Sequence, residues 1–421
     1  MTQIPKVEKT VLDNGITIVS EKIPSFRSVA LGFFVETGSV TETISENGIS
    51  HFIEHMSFKG TTKRTAFQVA QELDMVGGKI NAYTSKENTC YYTLSLDEHL
   101  GLALDILTDI FVDPLFDPEE VEKERGVILE EIKMFEDTPD ELVHDVFTQT
   151  ILDQHPLAKT IIGTKSTVGA VTREKILEYR KRYYTPNNLI ISAAGNIKHS
   201  DLVKQIEADL GHLKGKKLGY PAAVPEIKSK IRLERKQIEQ VHLCLGTKGV
   251  SQLADDRYAL LLLDNILGGT MSSRLFQEIR EKRGLVYSVF SSLVPYKNLG
   301  LFYVYAAASP ENVAPIIDLI LKEFSTLKKQ GLTAEELERS KEYTKGTLVL
   351  GLESTSSRMN WIARSEYYLG RSQTIEEIFK AFDKVTLDDI MKMAEQIFQD
   401  RYLTLAVLGD LEELPVKELK L

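Results

Sequence analysis

Apolar and polar positions along the chain switch repeatedly between two rhythms. Short alternating runs such as Val29-Ala-Leu-Gly-Phe-Phe-Val predict β-strands. They are interleaved with stretches in which apolar residues recur every three or four positions, predicting amphipathic helices of about 10 to 20 residues. Leu102 to Phe111 is one of these helices. Sheets with helices packed on one face satisfy this pattern, so the predicted fold class is α+β.

The pattern also repeats. Thr172-Arg-Glu-Lys-Ile-Leu opens a helical segment leading to the strand-like Asn188-Leu-Ile-Ile-Ser-Ala-Ala-Gly195-Asn. Thr386-Leu-Asp-Asp-Ile-Met leads in the same way to Tyr402-Leu-Thr-Leu-Ala-Val-Leu-Gly409-Asp. The offset is 214 residues in both cases, since 386 − 172 and 409 − 195 agree. Asp117-Pro-Glu-Glu-Val-Glu and Thr333-Ala-Glu-Glu-Leu-Glu form a further pair, each with a capping residue ahead of early carboxylates that suit a helix start. A third pair is Tyr92-Thr-Leu-Ser-Leu with Tyr303-Val-Tyr-Ala-Ala-Ala, each followed by a long apolar helix. The reading is an internal duplication: two similar mainly antiparallel domains, 1–213 and 231–421, joined by a Gly-, Pro- and Lys-rich linker, 214–230.

Only the first half carries a concentrated chemical motif, His51-Phe-Ile-Glu54-His55. The run from Ser45 is compatible with a helix, with Ser45 or a nearby polar residue as its cap. Residues i and i+4 share a helix face, so both imidazoles can reach one zinc ion at about 2.0–2.1 Å. Glu54 lies beside that face but displaced around it, a position suited to a base rather than a ligand. This is the inverted form of the HExxH arrangement. The bland alternative is two surface or capping histidines beside a solvated glutamate. A catalytic zinc also needs a third protein ligand and an open position for water. In the acidic helical segment that follows, Glu124 and Glu131 are seven apart and share a face, while Glu130 points elsewhere. An ordinary solvated helix face would look the same.

Composition narrows the classes. A chain of 421 residues with 43% hydrophobic and 27% charged residues is long enough for two packed domains. A net charge of −10, with both signs interspersed, argues against nucleic acid or an anionic membrane as the main partner. Cys90 and Cys244 are far apart and read as reduced core thiols, not a disulfide framework. Met1 to Asn14 lacks the apolar core of a signal peptide, and no apolar run approaches the roughly 20 residues of a membrane span. The expected location is cytoplasmic.

With these motifs in place, the sequence resembles the pitrilysin and insulin-degrading enzyme family of inverted zincins, most closely its processing-peptidase branch. The resemblance extends through His55-Met-Ser-Phe-Lys-Gly-Thr and Gly77-Gly78-Lys-Ile-Asn81-Ala82-Tyr83-Thr84. It also covers the second-half run from Gly268-Gly-Thr-Met to Arg283-Gly-Leu-Val-Tyr287. It implies one Zn2+ per chain held by His51, His55 and Glu131, with Glu124 supporting the site and Glu54 as general base. Asn81, Ala82, Tyr83 and Thr84 would form an edge strand to which an extended peptide adds. Arg283 and Tyr287 would hold the substrate backbone and stabilise charge on the cleaved carbonyl, and the short chain would work as a homodimer. The function implied is a zinc endopeptidase acting on unfolded or presequence-like peptides. Its rival is a non-catalytic scaffold or peptide-binding subunit, which metal content and cleavage of an unstructured peptide would distinguish.

Overall fold

The computed structural model of the protein describes residues 6–221 and 223–421. Residues 1–5 of the N-terminal stretch and residue 222 of the expected linker lie outside the described residues. Among the described residues the strands form two sheets. The first contains β1 (Val7–Val11), β2 (Thr17–Lys22), β3 (Ser28–Val35), β4 (Lys79–Thr84), β5 (Thr89–Leu96) and β6 (Leu189–Gly195), in the order β1-β2-β6-β3-β5-β4. The second contains β7 (Lys230–Arg235), β8 (Val241–Gly249), β9 (Ser288–Pro295), β10 (Gly300–Ala308) and β11 (Thr404–Gly409), in the order β7-β11-β8-β10-β9.

The duplication is visible in the pairing. β2 runs parallel to β6 as β7 does to β11, and every other pair in both sheets is antiparallel. The two glycines related by 214 residues, Gly195 and Gly409, both end the late strand of their half. The predicted caps are present as well: Asp117 Oδ1 accepts hydrogen bonds from Glu119 N and Glu120 N, and Thr333 Oγ1 accepts one from Glu336 N.

The central strands decide the layering. β3 is buried from Val29 to Val35, and β6 along its whole length. Because neighbouring side chains point to opposite faces, both faces must be covered. On one face Ile18, Leu31, Phe33 and Ile191 pack with Leu104, Leu107 and Ile206 from helices Leu100–Val112 and His199–Leu210. That is the expected helical layer. On the other face Val19, Ala30, Phe34 and Ile190 pack against Met359, Ile362 and Ala363 of helix Thr355–Leu369, which comes from the far half of the sequence. In return, helix Pro139–Leu152 from the first half packs on β7, β8 and β11.

The compact units therefore differ from the expected continuous halves 1–213 and 231–421. The first comprises the described residues of Met1–Lys133, Lys159–Pro221 and Leu350–Gln373; the second comprises those of Met134–Ala158, Ala222–Val349 and Thr374–Leu421. The exchange has a physical reason, since each sheet has a second apolar face that its own helices leave uncovered. The expected linker is also anchored at its start: Tyr220 donates to Glu87 Oε1 at 2.5 Å and Lys217 pairs with Glu36 at 2.8 Å.

Candidate metal centre

The motif residues occupy a short helix, Ile49–Met56, whose Ile49, Phe52, Ile53 and Met56 are buried. The same apolar cluster holds Val121, Ile128 and Ile132 of helix Pro118–Glu136. Packing these two faces together sets the opposite edges, with their histidines and glutamates, side by side.

The start of the motif helix differs from expectation. Ser45 lies in a separate 3-10 turn, Ile44–Glu46, and the N-cap is Gly48 at φ +93°. The free N–H groups of the first turn are met by Glu42, whose Oε2 accepts from Gly48 N and whose Oε1 accepts from Ser50 N, both at 2.9 Å. Asn47 Nδ2 adds a third bond at 3.0 Å. A left-handed backbone is open to glycine, whereas a serine there would be strained. Burial pushes the Glu42 carboxyl up from its ordinary pKa, partly offset by these bonds.

Donor atoms of His51, His55 and Glu131 all lie within 4.8 Å of one another, the only such group found among the described residues. His51 Nε2 is 3.8 Å from Glu131 Oε1, and His55 Nε2 is 3.6 Å from Glu131 Oε2. Ligands around a tetrahedral zinc at about 2.0–2.2 Å stand roughly 3.3–3.6 Å from each other, so the two separations lie at or slightly above that spacing, and a small contraction of the two imidazoles and one carboxylate would hold the ion. His51 is held neutral: burial, and next the charge of His55, push its pKa down to about 3. A neutral imidazole is the form that binds metal. His51 Nδ1 is buried without a hydrogen-bond partner among the described residues.

His55 is oriented from behind, its Nδ1 lying 2.9 Å from Glu124 Oε1. A carboxylate only accepts, so Nδ1 carries the proton and Nε2 is left with its lone pair toward the cluster. Burial alone would lower the His55 pKa, but the Glu124 bond and the charges of Glu131, Glu124 and Glu54 outweigh it and raise it. Glu124 is only 4% exposed. Burial works to raise its pKa, yet hydrogen bonds from His55 and Lys59 bring it below the usual carboxylate range. Glu130 pairs instead with Lys133 at the surface.

Glu54 does not join the donor set. Its Oε2 accepts a hydrogen bond from Thr84 Oγ1 at 2.5 Å. Burial raises the Glu54 pKa, Thr84 and His55 counter it, and Glu131 adds to the rise. Thr84 ends β4, which pairs with β5 and has no strand on its other edge among the described residues. Of the remaining predicted strand residues, Tyr83 donates to Asn360 Oδ1 at 2.9 Å, and Ala82 N donates to the Asn81 side chain at 2.8 Å. The second bond is local and exchangeable.

Arg283 and Tyr287 belong to the second unit. Arg283 Nη1 is held by Glu278, at 2.5 Å from Oε1 and 3.0 Å from the carbonyl oxygen. Tyr287 is 81% exposed, with the Arg280 guanidinium 5.1 Å from its ring centre. By spacing alone this run would be a basic helix end with a buried tyrosine, but Tyr287 is exposed. The π-helical turn Phe276–Glu281 ends before Arg283, and Gly284 turns the chain at φ +62°.

The sequence model for Insulinase (Peptidase family M16) matches residues 17–165, and that for the Peptidase M16 inactive domain matches residues 170–343. The uncharacterized zinc protease YmxG of Bacillus subtilis is 41% identical over 97% of this chain and 100% of its own length. The chain belongs to peptidase family M16. An uncharacterized zinc protease of Streptomyces coelicolor is 39% identical, covering 97% of this chain and 91% of its own. In fold, this M16 chain matches the crystal structure of a protease from Helicobacter pylori at TM-score 0.91 and 24% identity, over 96% of this chain and 99% of the other. It also matches a peptidase M16 inactive domain from Pseudomonas fluorescens at TM-score 0.90 and 20% identity, over 99% and 100%. Membership in M16 and the zinc-protease relatives support a peptidase role. No helix among the described residues is long and apolar enough to cross a membrane.

Two supporting residues escaped the sequence reading. Glu42 had no recognisable signal, because its bonds return over a loop. Lys59 has a weak signal, as the basic residue that follows His55 by four positions in the run His55-Met-Ser-Phe-Lys-Gly-Thr.

Proposed function

We propose that this chain is a zinc-dependent endopeptidase that hydrolyses unfolded or presequence-like peptides. The observation that carries this reading is the convergence of two imidazoles and one carboxylate on a single point, with a second carboxylate, Glu54, beside it but bonded elsewhere. His51, His55 and Glu131 would hold one zinc ion per chain. When bound, zinc acidifies a water molecule and draws charge from a peptide carbonyl oxygen.

The chain's own residues do the rest. Glu54 takes the proton of the attacking water and returns it to the leaving amine. Thr84 fixes which Glu54 oxygen is free for that exchange, because it occupies the other. The open edge of β4, from Asn81 to Thr84, receives the substrate as an added strand, which selects an extended backbone more than a particular side chain. Arg283 and Tyr287 act as donors to the substrate backbone and its developing oxyanion, a role resting on family resemblance. We assign the working form to a homodimer in the cytoplasm.

The test is hydrolysis of an unstructured basic peptide by wild type and E54Q, with zinc content measured in both. Zinc in both proteins, with a loss of about 10²-fold or more in kcat for E54Q alone, is expected. A wild-type chain that takes up no zinc and cleaves nothing when zinc is supplied would overturn the reading in favour of a scaffold subunit.

A further inference from the structure

Glu124 divides its two oxygens between two partners. Oε1 faces His55 Nδ1 at 2.9 Å, and Oε2 faces Lys59 Nζ at 2.5 Å. Lys59 sits just past the C-terminal end of the motif helix, where its N–H closes a turn onto Met56 O. It stands four residues beyond His55, and both side chains reach Glu124. Two residues four apart in sequence therefore hold opposite ends of one carboxylate supplied by helix Pro118–Glu136.

This matters because a carboxylate can rotate. A buried Glu124 with one free oxygen could turn away from His55 or bond it through either atom, and the imidazole plane would follow. An ammonium group is a compact point charge with no planar preference. Once Oε2 is taken, Oε1 is the oxygen left for Nδ1–H, and the ring is held with Nε2 toward Glu131, where it lies 3.6 Å from Oε2. The Lys59 side chain keeps 32% exposure against 5% for Glu124, so one end of this relay is reachable from solvent while its middle is not.

We propose that Lys59 is a positioning residue for the metal centre, acting on His55 only through Glu124. Among the described residues its side-chain ion pair is with Glu124 and not with a donor residue or Glu54. The relay Lys59–Glu124–His55 pre-sets one histidine before metal arrives, and its effect should therefore be read in metal affinity first and in turnover second. Partners in this outer shell typically change metal affinity by about 10- to 100-fold.

The inference rests on the zinc reading above, and the experiment separates the two. Zinc affinity is measured by competition with a chromophoric chelator for wild type, K59M, K59C and E124Q, and for the double variant K59M/E124Q. K59C is measured again after aminoethylation with bromoethylamine, which restores an amine at the same reach; Cys90 and Cys244 are buried and do not compete for the reagent. K59M and K59C should bind zinc about tenfold more weakly than wild type, with aminoethylation recovering most of the loss in K59C. In the E124Q background K59M should add less than about twofold, because its route to His55 is already cut.

Comparing K59C with itself before and after alkylation removes any folding defect common to both states. Lys59 is overturned as a positioning residue if K59M matches wild type, if aminoethylation restores nothing, or if the K59M and E124Q losses add in full. Each of those outcomes leaves wild-type zinc binding intact, whereas failure of the zinc reading would appear as a wild type that binds no zinc at all.

Discussion

Asp264 lies on helix Arg257–Leu267 of the second unit and offers a quantitative prediction. Its Oδ1 is shut away from water with no hydrogen-bond partner among the described residues. Burial pushes its pKa from the usual 3.8 up to about 6, against a smaller opposing effect of the Ser291 hydroxyl. The folded-state pKa is thus raised above the unfolded one. Such a group contributes its full relative stability below about pH 4 and loses it as pH rises through about 6. Between those limits each pH unit counts about 1.4 kcal/mol, so by pH 8 the charged carboxylate costs the folded second unit about 3 kcal/mol.

D264N removes the titration. The difference in opening free energy between D264N and wild type should therefore grow by between about 2 and 3 kcal/mol in favour of the variant from pH 4 to pH 8, with most of the change between pH 4 and pH 6.5. Any fixed penalty for burying the amide shifts both ends equally and leaves this difference untouched. Native-state hydrogen exchange over Leu260–Ile266 and over β10 would read it directly. A variant-minus-wild-type difference that stays flat across this range would refute the argument, because Asp264 would then ionise as easily folded as unfolded.

Further outcomes follow from the metal centre. Replacing Thr84 with valine should lower kcat by about 10- to 100-fold, the worth of a hydrogen bond to a charged acceptor, with zinc affinity unchanged. T84S should restore it, and equal kcat in T84V and wild type would contradict the link between β4 and Glu54. At the helix start, a Cβ on Gly48 would meet Ile162 O at 2.7 Å and Gly163 Cα at 2.8 Å, on a backbone at φ +93°. G48A should therefore cost the first unit about 1–3 kcal/mol, seen as reduced hydrogen-exchange protection of the motif helix; unchanged protection would show that the turn relaxes freely.

Much of this protein was legible in its sequence because the relevant signals are local or periodic. The duplication appeared as a repeated offset, and the topology of the two sheets bears it out. His51 and His55 could be paired because helical spacing alone puts positions i and i+4 on one face. Glu54 could be separated from the ligands by the same geometry. Glu131 was different: spacing offered several carboxylates of equal standing, and family resemblance chose among them before the structure brought its oxygens within 4 Å of both imidazoles.

What the tertiary structure alone decided was which surfaces meet. An amphipathic pattern says that helices Thr355–Leu369 and Pro139–Leu152 have an apolar face, but not that each covers the sheet of the opposite half of the sequence. Glu42 bonds the start of the motif helix across a loop, Glu124 reaches His55 over 69 residues, and Thr84 reaches Glu54 over 30. None of these contacts leaves a period in the chain. They are fixed by the packing of apolar faces elsewhere, as in the cluster joining Phe52 and Ile53 to Val121 and Ile128. Hydrophobic burial is non-directional, so the sequence specifies that those faces will be buried, and only the packed structure specifies which polar groups they carry into contact.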